Sequence, residues 1–139
     1  MHDTQLLTKL IHAKHLVLTQ LREIGRRQAE LISGGDVAAL LKLLAVKQQL
    51  IAHLQTVERE LTPHYGQDPE RRVWSSPQDR ADCARMAAEC NAILDEIVRL
   101  EKQGADDMTV RRNEVAEQLK QVHVASQVRN AYEAQRTSA

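Results

Sequence analysis

The side chains that could do chemistry are few. His12 and His15 fall on adjacent turns of one helical segment, and a chain reversal can bring His53 towards them. A two-metal helical site asks for Glu and Glu-x-x-His sets on facing helices, and the sequence has no Glu-x-x-His. The three histidines therefore read as surface or edge residues, and a metal-binding bundle stays as a lesser alternative. Cys83 and Cys90 are seven residues apart. On a helix that places their Cα atoms about 10 Å apart, too far for a disulfide, so they read as small buried apolar side chains. Arg71-Arg72 and Arg111-Arg112 are each flanked by acids and read as solvated ion-pair surface. No Gly-rich phosphate loop, nucleophile elbow or catalytic triad order is present. The expectation is a protein that is not an enzyme and has no catalytic residue, cofactor or metal.

The elements that would position these residues are helices. The chain has 139 residues, 42% of them apolar, but only 2% aromatic and no Phe. A core of Leu, Ile, Val and Ala suits long helices side by side. Acidic and basic residues balance at 19 each, which gives no reason to expect nucleic acid or an anionic membrane as partner. The first residues do not resemble a signal peptide, and no window approaches about 18 uninterrupted apolar residues, so membrane insertion is not expected. Two cysteines and no leader suggest a reducing, cytoplasmic setting.

The clearest turn lies at Gly34-Gly35-Asp36. Ser33 ends a first helix, the glycines can take positive φ, and Asp36 can cap a second. The first helix, about 4–33, starts at Asp3 or Thr4. Its stripe runs Leu6, Leu7, Leu10, Val17, Leu18, Leu21, Ile24, Leu31 and Ile32. Lys14 and Gln28 interrupt that stripe, and Gly25 marks a close helix approach. The second helix, about 37–61, is stopped by Pro63. The loop 62–76 carries Tyr65 and Trp74, and Trp74 is expected to fold back as a plug on the core. Ser76-Pro77-Gln78-Asp79 starts a third helix, about 77–103, small-sided at Cys83, Ala84 and Ala87. Gly104 ends or bends it, and Asp106 or Asp107 can cap a fourth, about 107–135, before a frayed RTSA tail; in the other reading the third and fourth are one long bent helix through Gly104. The fold class is all-α: an antiparallel helical hairpin extended to a three- or four-helix bundle, one domain over 1–139.

The fourth helix has a thin stripe. Val115, Leu119, Val122, Val128 and Tyr132 read as anchors for a helical partner, against the plainer alternative of ordinary core.

The hairpin residues carry a resemblance. Leu31-Ile32, Gly35-Asp36, Leu40, Leu43 or Leu44, Lys47, Leu50-Ile51 and Leu54 resemble the pattern of the FlgN family of flagellar type III export chaperones. The match covers roughly the first sixty residues, and the Pro63–Trp74 loop lies outside it. The resemblance implies a cytoplasmic chaperone that binds C-terminal helices of hook-filament junction proteins, prevents premature assembly and delivers them to export apparatus components. In the family, client binding is assigned to the C-terminal helical region. The alternative is a structural or adaptor bundle that self-associates as a homodimer or binds another helical partner.

Overall fold

The computed structural model describes residues 2–137, and side chains within 4–110, 112–125 and 127–134. Ser138 and Ala139 of the expected tail lie outside those residues, as does the Asp3 side chain that was one candidate cap. The fold is all-α, with three long helices: α1 (Thr4–Gly34), α2 (Val37–Tyr65) and α3 (Pro77–Thr137). A single 3-10 turn, Pro69–Arg71, interrupts the link between α2 and α3. A two-residue parallel pairing, β1 (His2–Asp3) with β2 (Arg72–Val73), ties that link to the start of the chain. The chain divides into two compact units, Met1–Gly104 and Ala105–Ala139.

The α1–α2 turn forms as its residues dictate. Gly35 takes φ 72°, a region open to glycine and strained for other residues. The Gly35 amide donates to the Ile32 carbonyl and the Asp36 amide to the Leu31 carbonyl, the paired bonds that close a helix through a left-handed residue. The Asp36 carboxylate then accepts from the Ala39 amide at 3.1 Å. At the start of α3 the Ser76 hydroxyl caps the Asp79 amide at 3.1 Å. Thr4 is used differently. Its hydroxyl donates to the Val73 carbonyl at 2.7 Å and is buried there, so it fastens the loop.

Within 1–104 the core lies between all three helices, in two clusters. The first joins Leu7, Leu10 and Ile11 of α1 to Val57 and Leu61 of α2 and Cys83 of α3, with Trp74 packed against it. The second joins Val17, Leu18 and Leu21 to Cys90 and Ile93, with Leu50, Ile51 and Leu54 alongside. Trp74 therefore folds back onto the core, half-buried. Where the α1 stripe turns polar, partners meet it. Lys14 pairs with Glu58 of α2 at 2.7 Å. Gln28 accepts from Lys47 of α2 at 3.1 Å, and Lys47 also pairs with Glu101 of α3. Arg26 and Arg22 of α1 both reach Glu96 of α3.

Two expected helix ends are corrected. α2 does not stop before Pro63 but runs through it to Tyr65. So near the end, proline forfeits only one helical bond. His64 gains burial, and its carbonyl receives the Arg72 guanidinium at 2.7 Å. Gly104 is not an end either; of its two readings, the one with a single helix running through it holds. It lies inside α3, buried, where an added Cβ would meet Gln28 and Ile32 of α1 at 3.6 and 3.9 Å. Asp106 and Asp107 are accordingly interior helix positions, and no separate fourth helix begins there. Gly25 is a close approach as expected, for a Cβ there would come within 3.1 Å of Leu100.

Among the described residues, α2 alone is long and apolar enough to cross a membrane by length and composition. An 18-residue window of it has mean hydropathy 1.4, with none of that window buried. That measure is a looser one than an uninterrupted apolar run, which Lys42 and Lys47 break in this helix. Lys42 and Lys47 lie in the helix, and Lys47 spends its charge on Glu101.

Gly25→Leu should lower unfolding stability by about 2 kcal/mol through overpacking, read by urea titration. Gly34→Ala, with open space around it, should raise stability by about 0.5 kcal/mol. The Glu96 carboxyl is held below its ordinary value of 4.5, by the Arg26 hydrogen bond first and then the charges of Arg26 and Arg22, which together outweigh desolvation. A depressed carboxyl stabilises the fold above its unfolded pKa and loses that effect as pH falls through the folded one. The Tm gap between the parent and Glu96→Gln should therefore hold steady above about pH 5 and shrink in more acid solution.

Candidate functional site

Residues 105–137 of α3 hold the predicted partner-binding positions. Every described side chain from 108 to 134 is exposed. Val115 is 53% exposed, Leu119 66%, Val122 67%, Val128 65% and Tyr132 65%. Large aliphatic side chains on a helix normally mark the buried face, and here they meet solvent.

The five predicted residues do not form one line. At about 100° per residue, Val115, Leu119 and Val122 fall together, joined by Met108, which the binding set omitted. Val128 and Tyr132 fall on another side, continuing from Val124 at four-residue steps; Val110 lies near that side too. The segment thus carries two apolar lines where the sequence reading combined them into one. The ladder of steps (seven, four and three from Met108 to Val122) was visible in the spacing. The split was missed because residues thirteen apart, such as Val115 and Val128, are about 220° apart in projection.

The other chemical candidates are dispersed. His12 and His53 are exposed, and His15 meets Glu89 at 2.9 Å. No group of three His, Cys, Asp or Glu side chains poised for a metal occurs among the described residues. Cys83 and Cys90 are free and buried, and burial pushes both thiols above their ordinary value. Thiols so placed are poor nucleophiles. Arg72 corrects the reading of its pair as solvated surface: it is partly buried and bonded to the His64 carbonyl, while Arg71 is exposed. Arg112 is exposed, and the side chain of Arg111 lies outside those described.

A cavity was missed altogether. It lies in the 1–104 unit beside Trp74, holds about 230 Å³, and is lined by residues of α1, α3, the link and the last turn of α2. The signal was available. Small side chains at Cys83, Ala84 and Ala87 read as room for a neighbouring helix, and the room at Ala84 and Ala87 is a hollow next to the only Trp.

Comparison of the chain with protein-family models, curated proteins and solved structures finds no match.

Proposed function

We propose that this protein is a helix-binding chaperone or adaptor, and that residues 105–137 carry the docking face. The supporting observation is the run Met108, Val115, Leu119 and Val122, a helical-spaced apolar line more than half exposed at each position. An amphipathic helix presents anchors at the same spacing, so two such lines can interleave and exclude water. Burying a Leu or Val side chain contributes roughly 1.5–3 kcal/mol. Four anchors on one face are enough for a reversible partner after the association entropy is met.

The hairpin sequence gives the reading its finer form. Its likeness to the FlgN pattern suggests a cytoplasmic export chaperone whose client is the C-terminal helical segment of a hook-filament junction protein. Such segments self-associate, and a temporary apolar partner keeps them apart until export. The structure adds a physical role for one residue of that pattern, since Lys47 joins α2 to Gln28 and Glu101. The pattern residues then serve the scaffold, and the client face is separate from them.

Purified full-length protein mixed with C-terminal segments of hook-filament junction proteins should bind with micromolar or tighter affinity in calorimetry. Leu119→Asp with Val122→Asp should weaken binding at least a hundredfold, since two buried anchors are lost, and leave helicity and Tm unchanged. Val128→Asp alone, on the other line, should have the smaller effect. No binding by the parent protein, or equal binding by the double variant, would overturn the reading.

A further inference from the structure

The cavity beside Trp74 has a composition that the exposed face on α3 does not explain. Its wall is apolar: Leu7, Ile11, Trp74, Cys83, Ala84 and Ala87. Its remaining lining includes two guanidinium groups, Arg72 and Arg80, and the Tyr65 ring, but no acidic side chain. The volume of about 230 Å³ is below the range of about 300–1,000 Å³ that holds drug-sized ligands and cofactors. It suits a single short fragment.

The two arginines are not equally engaged. Arg72 is anchored by one nitrogen on the His64 carbonyl, while its Nε is shut away from solvent with no hydrogen-bond partner. A ligand in the hollow does not reach that Nε; what Arg72 offers there is the positive charge of a guanidinium on the lining, and a carboxylate is its best complement. Arg80 meets Glu70 only at 3.7 Å, between two well-exposed side chains. Such a pair contributes little and yields easily to another anion.

The mouth is preformed. The Asp68 carboxylate caps the Glu70 amide, the Thr4 hydroxyl holds the Val73 carbonyl, and β1 pairs with β2. The segment bearing Arg72 and Trp74 is therefore fixed before any ligand arrives, which removes part of the ordering cost of binding.

We propose that this cavity binds a short, unbranched apolar carboxylate, of the class of medium-chain fatty acids. The tail lies against Leu7, Ile11, Trp74 and Ala84, and the carboxylate lies towards Arg72 and Arg80. A bare phosphate would meet the two charges but leave the apolar wall uncovered, whereas an apolar carboxylate uses both. The volume matches a short chain. This site is independent of the helix-docking face.

The only Trp lines the site and reports on it. Octanoate added to the full-length protein should shift Trp74 emission saturably. Octanol, equal in length but uncharged, should bind about tenfold more weakly, the worth of one charge-assisted hydrogen bond. Ala84→Leu should abolish the octanoate response by filling the cavity, with circular dichroism and Tm confirming the fold. Arg80→Gln, an exposed substitution that spares the core, should weaken octanoate several-fold and leave octanol unchanged. An emission unmoved by millimolar octanoate, equal binding of octanoate and octanol, or an undiminished response in folded Ala84→Leu would each overturn the proposal.

Discussion

Lys47 is the point where the three helices are tied together. It is largely buried, with 13% of its side chain exposed, and it binds Gln28 on α1 and Glu101 on α3 at once. The surrounding stripes are Leu, Ile, Val and Ala, with no Phe anywhere in the chain. Aliphatic stripes of this kind tolerate sliding by a turn, because one Leu fits the space of another. A polar group that is satisfied in only one alignment removes that freedom, as buried polar positions do in coiled coils. Lys14 with Glu58 fixes α1 against α2 in the same way, a turn or more from the other end. Burial alone would lower the Lys14 pKa, but the hydrogen bonds and charges of Glu58 and Tyr65 prevail and raise it. The ammonium is thus held charged where it is needed. These pins contribute more to alignment than to net stability, since desolvating a charge offsets much of its attraction.

The local signals that were legible were those with a fixed backbone meaning. Gly35 with Asp36 specified the hairpin turn, Ser76 before Pro77 specified a helix start, and Gly25 specified contact with Leu100. Their effect is decided within a few residues. Pro63 and Gly104 misled because each has two meanings that only tertiary contact separates. Pro63 is tolerated in a last turn whose carbonyl is taken up by Arg72, eight residues on. Gly104 disrupts a free helix, yet here its missing side chain lets Gln28 and Ile32 come close. Lys14 and Gln28 looked like flaws in a stripe because their partners lie on another helix.

The candidate site was legible in part. That residues 105–137 carry a thin apolar pattern could be read from spacing, and its exposure follows from the structure. Which residues share a side required the helical phase to be carried across the whole segment. The cavity beside Trp74 arises from three separate stretches, at 7–11, 65–74 and 80–87. No single window contains it. The two surfaces also differ in physical kind. One is an open line that gains only when an apolar partner covers it, and the other is a preformed hollow with a charge at its mouth.

The account requires the docking face to be uncovered in the free protein and covered by a helical partner. Amide hydrogen exchange of the full-length chain tests this directly. In the free monomer, the amides around Leu18, Leu61 and Cys90 should exchange slowly, with those from Met108 to Tyr132 among the fastest. Adding a client helix should slow exchange from Met108 to Val122 and leave the core amides unchanged. Strong protection of 108–132 in the free monomer, or client protection that appears only elsewhere, would contradict the account.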